Sequence, residues 1–211
     1  MIASNLFAKI GLTAPGISNE LSAANVKSHY ENGVEMKKRG NYRMAVEQFK
    51  LAIAGKPDFA DAYLHLGITY ANMNSSRQAI KAFNDALRIQ PIMVEAYHEL
   101  GLVYDRAGNF LDALKVYMNA IRVNPQDVEL RNGLATAYFN MGAYSEAIKA
   151  FNQAISMKPK DGRAYYGLGL VYLDLENLDS ASRMGHKLME IGRGDLATQL
   201  LDKVKSCTPS E

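Results

Sequence analysis

Four histidines, His29, His65, His98 and His186, and one cysteine, Cys207, are the residues of this chain best suited to metal or nucleophilic chemistry. Ligands for a structural metal usually come in close pairs such as His-x3-His or Cys-x2-Cys, which place two donors on one side of a helix or turn. No such pair is present. His65 and His98 are the one pair that regularly repeated elements would bring near each other, and two imidazoles without further ligands or supporting hydrogen bonds make no metal site. Partly exposed polar histidines are the better reading. Glu95, Asp105 and Glu129 could be drawn as catalytic carboxylates, yet charges on amphipathic helices usually mark the solvated face. The sequence has no glycine-rich phosphate loop and no nucleophile elbow. The lone Cys207 excludes an intramolecular disulfide framework and reads as an inert thiol. The expectation is a non-catalytic chain without cofactor or metal.

Charge narrows the partners. Twenty-four basic and 22 acidic residues leave a net charge of +2, which gives no stripe to track phosphates, so no nucleic-acid partner is expected. No uninterrupted run of 18 apolar residues occurs, so no transmembrane segment is expected either. A cytoplasmic location follows, peripheral to a membrane only through partners.

The elements that carry these side chains are set by a period. Pro57, Pro91, Pro125 and Pro159 stand at equal 34-residue intervals. Alanine recurs with them at Ala45, Ala79, Ala113 and Ala147 and at Ala52, Ala86, Ala120 and Ala154. An aromatic residue recurs at Phe49, Phe83, Tyr117 and Phe151. A fixed period of this size marks a repeat protein rather than one globular core. With proline as position 32, five units cover 26–59, 60–93, 94–127, 128–161 and 162–194.

Each unit reads as two helices. Large, small and aromatic residues at positions 4, 8 and 11 (Tyr63, Gly67, Tyr70; Tyr97, Gly101, Tyr104; Tyr165, Gly169, Tyr172) share one helical face. Positions 20, 24 and 27 form a second face of the same period. Gly40, Asn74, Gly108 and Gly142 at position 15 tolerate the backbone that ends the first helix. The proline ends the second, since it lacks an N–H and restricts the residue before it.

This pattern resembles the tetratricopeptide repeat family, W-x2-L-G-x2-Y, then A-x3-F, then P. Tyr63, Leu66, Gly67, Tyr70, Ala79, Phe83, Ala86 and Pro91 supply it with tyrosine in place of tryptophan, and the third unit repeats it. Departures fall mainly at the ends: His29, Asn32 and Met36 in the first unit, and Gly185, Leu188 and Arg193 in the fifth. The fourth has Arg131 and Ala135 at positions 4 and 8. The resemblance implies an all-α, right-handed superhelical solenoid of antiparallel hairpins. Leu196, Leu200, Leu201 and Val204 would form the apolar face of a capping helix over 195–206, followed by a tail over 207–211.

Family resemblance further implies that the first helices line a concave, protein-binding groove. Its expected residues are Tyr30, Leu64, His98, Asn132 and Tyr166 at position 5, and Val34, Ile68, Leu102, Thr136 and Leu170 at position 9. Position 12 adds Phe139 and Leu173, beside Lys37, Ala71 and Asp105. A polar rim comes from Lys27, Asp61, Glu95, Glu129 and Arg163 at position 2, and from Lys38, Asn72, Arg106, Asn140 and Asp174 at position 13. Most aromatic residues sit at the packing positions 4, 11, 17 and 24. Tyr30, Phe139 and Tyr166 do not, and apolar surface with aromatic anchors marks protein-binding sites.

The family's carboxylate clamp needs asparagine at position 9, where this chain has Val34, Ile68 and Leu102. Its asparagine ladder needs position 6, where this chain has Glu31, His65, Glu99, Gly133 and Gly167. Both are absent, so the expected partner is an apolar or amphipathic peptide or helix. Residues 1–25 form a separate segment, disordered or a short amphipathic helix, with Ile2, Leu6, Phe7 and Ile10 at helical spacing before Ala14-Pro15-Gly16. The leading reading is thus a scaffold or adaptor; the alternative is a homo-oligomer assembled through that segment, as magnetosome-type members of the family self-assemble, and the lesser alternative a membrane-surface protein anchored by it.

Overall fold

The second helices stop two residues short of each proline, and the residue before the proline turns extended. Lys56, Gln90, Asn124 and Lys158 have ψ of 91°, 87°, 85° and 85°, as the proline ring's clash with a preceding helical residue requires. The computed structural model describes residues 23–207. Among them are eleven α-helices and no strand: α1 Ala23–Lys38, α2 Tyr42–Gly55, α3 Ala60–Asn72, α4 Ser76–Ile89, α5 Val94–Arg106, α6 Phe110–Val123, α7 Val128–Asn140, α8 Tyr144–Met157, α9 Gly162–Asp174, α10 Leu178–Glu190 and α11 Gly194–Cys207. Helix α1 begins three residues before the first repeat position. The apolar stretch at Ile2, Leu6, Phe7 and Ile10 and the tail beyond 207 lie outside the described residues.

Position 15 is left-handed in all five hairpins. Gly40, Gly108 and Gly142 have φ of 77°, 74° and 73°, and Asn74 has 57°. The fifth is Glu176 at φ 55°, where no glycine or asparagine announced a break. Its N–H still donates to the Leu173 carbonyl at 2.9 Å, and Asn177 N–H to that of Tyr172 at 2.8 Å, the bonds that close a helix C-terminus. A side chain with Cβ is disfavoured in this conformation by about 1–2 kcal/mol. Glu176→Gly should therefore stabilise the chain by about 0.5–1 kcal/mol after glycine's own entropy cost. The melting temperature should rise by about 1–3 °C; an unchanged or lower value would show that the backbone there is unstrained.

Helix contact is made through missing volume. Alanine at positions 20 and 27 is 0 % exposed in each of the first four hairpins. The aromatic at position 24 fills the space beside it, with Phe49, Phe83 and Tyr117 at 0 % and Phe151 at 2 % exposure. Each ring buried this way contributes roughly 1.5–3 kcal/mol.

The chain divides into two compact units, the first ending at Val103 and the second beginning at Tyr104, within α5. In the first unit each ring lies against a glycine of its own hairpin: a Cβ on Gly33 would meet Phe49 at 2.7 Å, and one on Gly67 would meet Phe83 at 2.5 Å. In the second unit rings lie against glycines of the following hairpin. A Cβ on Gly133 would meet Tyr117 at 2.4 Å, and one on Gly167 would meet Phe151 at 2.3 Å. These glycines are at position 6, which the sequence pattern does not reserve for small residues.

The second unit ends on α11. Its Leu200 fills the notch at Gly169 and its Leu201 the notch at Gly185. Gly185 stands where an aromatic is expected, so leucines of the following helix supply the volume that the fifth hairpin lacks. Leu188, Ala197 and Leu200 form one cluster at 0 % exposure.

Candidate functional site

In the first unit, side chains of α1, α3 and the start of α5 meet on one face, built around His65. Its ring stacks on Tyr30 at 5.6 Å and 26° and lies 5.9 Å from Phe49. Tyr30 in turn packs on Phe59 at 4.8 Å. Lys37 Nζ donates to His65 Nδ1 at 3.2 Å. Burial, helped by the Lys37 charge, pushes the His65 pKa down to about 4, so the ring is neutral at physiological pH and free to accept that bond. Burial also lowers the Lys37 pKa, against the pull of Glu95 and Glu99. Tyr30 is shifted up by burial and then by Asp61 and Glu95. The result is a half-buried cation on an aromatic floor, with carboxylates at its edge.

Around this centre Val34, Ile68, His98 and Leu102 are half-buried, while Lys27, Lys38, Asp61, Asn72 and Glu95 are exposed. Leu64 differs from its expected place in a groove floor, being 4 % exposed. Position 5 proves to be partly an internal contact, because it faces position 34 of its own hairpin. Tyr30 meets Phe59 there, and in the fourth hairpin Asn132 Nδ2 donates to Asp161 Oδ2 at 2.6 Å. Asn132 and Asp161 are 8 % and 5 % exposed. Asp161 also caps α9, its Oδ1 accepting from Arg163 N–H at 3.1 Å.

In the second unit, Thr136 is exposed and Phe139 half-buried, with its ring 6.2 Å from Tyr144. Tyr166, Leu170 and Leu173 are half-buried because they pack on the cluster formed with α11. Much of their apolar surface is therefore spent internally. Arg106, Glu129, Asn140, Arg163 and Asp174 are exposed. Arg163 binds Glu129 one hairpin earlier, and Tyr144 O–H donates to Asp174 at 3.4 Å. Asp105 is pushed up to about 6 by burial, which outweighs the Tyr117 hydroxyl bonded to its Oδ2 at 3.4 Å. Its other oxygen is buried without a partner among the described residues.

The tetratricopeptide repeat model matches residues 30–92, 65–127, 98–161 and 132–181. The chain belongs to the tetratricopeptide repeat family. This tetratricopeptide chain has the all-α hairpin solenoid fold of that family and is a protein-interaction scaffold. Solved structures agree on the fold. One of MamA is 26 % identical, with a TM-score of 0.68 over 77 % of this chain and 95 % of its own. YrrB, described as a tetratricopeptide protein with an unusual peptide-binding site, is 21 % identical, with a TM-score of 0.66 over 96 % and 98 %. A thermophilic tetratricopeptide protein of Thermus thermophilus, TTC0263, is 22 % identical, with a TM-score of 0.67 over 85 % and 99 %. No curated protein matches the sequence.

Tetratricopeptide repeats are typically non-catalytic interaction modules. Among the described residues no three His, Cys, Asp or Glu side chains converge as metal ligands, and no helix is long and apolar enough to cross a membrane. The Lys37–His65 bond was not foreseen, although His65 and Lys37 stand at repeat positions 6 and 12 of successive first helices, which face each other across a stack.

Proposed function

We propose that this chain is a non-catalytic scaffold that takes an apolar or amphipathic peptide or helix across the first-helix face of its first unit. The observation that carries the reading is the half-exposed row of Val34, Ile68 and Leu102 beside the Tyr30–His65–Lys37 centre. Such a patch offers apolar anchors with a few fixed polar groups, the usual make-up of a recognition surface. Apolar side chains of a partner would cover Val34, Ile68 and Leu102. Lys37, bound to His65 and flanked by acidic residues, would fix its direction. The description of YrrB as peptide-binding supports a peptide as the kind of partner.

Ile68→Asp combined with Leu102→Asp places two charges where an apolar partner would exclude water, at a cost of several kcal/mol to the complex. Partner binding should weaken by more than about a hundredfold. Circular dichroism and melting should stay near wild type, because both side chains are only half-buried. Proteins retained by the wild-type chain and released by the double variant identify the partner. Equal retention by both would place binding elsewhere.

A further inference from the structure

A cleft of the first unit lies away from that face. It measures about 540 Å³ and opens between α2 and α4, floored by Tyr63, Leu66 and Tyr70 of α3, with Glu47 on one wall and Lys81 and Asp85 on the other. The second unit has clefts at related repeat positions, where Arg131 stands at the position of Tyr63, Gln153 at that of Asp85 and Lys115 at that of Glu47. The Arg131 guanidinium donates from Nη1 to Gln153 Oε1 at 3.2 Å and from Nη2 to the Pro125 carbonyl at 2.8 Å. Clefts of about 270 and 460 Å³ remain to either side.

Both acceptors have counterparts in the first unit. Asp85 holds the position of Gln153, and Pro57 that of Pro125. Tyr63, at the position of Arg131, supplies no guanidinium to them. We propose that the α2–α4 cleft is a second binding site, which takes an arginine side chain of a partner peptide.

The cleft suits that chemistry better than the second unit does. Asp85 is a carboxylate where Gln153 is a neutral amide, and a guanidinium binds carboxylates with two parallel bonds. Asp85 pairs with the exposed Arg88 on its own helix at 3.5 Å, long enough to be exchanged for a closer partner. The Tyr63 ring offers a face on which the guanidinium stacks. Burial and the Asp85 charge hold the Tyr63 phenol neutral, so it adds no competing charge. Lys50 is occupied by Glu47 at 3.2 Å, and Lys81 is exposed at the outer wall. Leu66, 7 % exposed at the floor, favours apolar residues beside the arginine.

The probe is acetyl-Leu-Arg-Leu-amide, titrated at millimolar concentration into the isotope-labelled full chain and followed by amide chemical shifts. Shifts should centre on Tyr63, Tyr70 and Asp85, and the citrulline analogue, which keeps shape but loses charge, should bind about tenfold more weakly. Asp85→Asn, which keeps the shape of the side chain, should weaken the arginine peptide by about tenfold, and Tyr63→Arg should abolish its binding by supplying the guanidinium from within. The Ile68→Asp, Leu102→Asp variant should bind the probe as wild type does, which separates this site from the first-helix face. Equal binding of the citrulline peptide, shifts centred elsewhere, or an Asp85→Asn variant that binds like wild type would overturn the proposal, whether or not Tyr63→Arg folds.

Discussion

Asn132→Asp should destabilise the second unit by about 3–4 kcal/mol at pH 7, a large part of the stability of any domain. The substitution alters no volume. It replaces the amide that donates to Asp161 at 2.6 Å with a second carboxylate, at a place where both residues are more than nine-tenths buried. Two carboxylates so close cannot both ionise at low cost, so the folded chain holds a proton that the unfolded chain releases. Folded pKa values therefore rise above the ordinary value of about 3.9. Stability tied to that proton is present below the unfolded pKa and is lost as pH rises through the folded one. The gap between variant and wild type should accordingly narrow on acidification towards pH 4. Denaturant melts at pH 7 and pH 4 measure this. The double variant Asn132→Asp, Asp161→Asn returns one amide and one carboxylate to the pair, with an oxygen left to cap Arg163, and should recover most of the loss. A single variant that melts like wild type at pH 7 would mean that the two side chains are not held face to face.

Gly167→Leu should cost about 3 kcal/mol or more by overpacking. The Cβ alone would sit 2.3 Å from the Phe151 ring, and the ring is 2 % exposed with nowhere to withdraw. Helices α8 and α9 must then separate along their contact. Glu31→Leu, the same repeat position in the first hairpin, is the control: Glu31 is exposed and its replacement should change stability by no more than about 0.5 kcal/mol. Truncating the ring in Gly167→Leu, Phe151→Ala frees the space that leucine needs, so the double variant should cost clearly less than the sum of the singles. Additive losses would show that the ring and the glycine do not share one contact.

The period made most of the fold legible. Proline, alanine and aromatic spacing located the hairpins, because each marks a steric requirement that recurs wherever two helices cross. Glu176 escaped, since the left-handed turn is imposed there by the closing hydrogen bonds of the hairpin rather than by the residue's own preference. Gly133 and Gly167 escaped because only Tyr117 and Phe151 press on position 6 of the following hairpin, and a pattern averaged over repeats hides a requirement met in some of them.

The site was legible in part. Position 9 side chains Val34, Ile68 and Leu102 are half-buried, and position 5 is shared between the face and the inside of the hairpin. A trace of this exists in the sequence: residues 29 apart match in chemistry, Tyr30 with Phe59, Leu64 with Met93 and Asn132 with Asp161. Such matching is read only after one pair has been seen in contact. Arg131 looked like a weakened repeat residue, and its bonds to Gln153 and Pro125 show a different use of the same repeat position.

The ring contacts have a consequence for how such a chain can be rearranged. Phe49 leaves room for a side chain at position 6 of the following hairpin, where His65 packs on it. Tyr117 and Phe151 leave none, because a Cβ on Gly133 or Gly167 would meet the ring at 2.4 or 2.3 Å. The order of the repeats is thus written into the chain as a grammar of neighbours: shuffling experiments should accept either kind of hairpin after Phe49, but only one with glycine at position 6 after Tyr117 or Phe151.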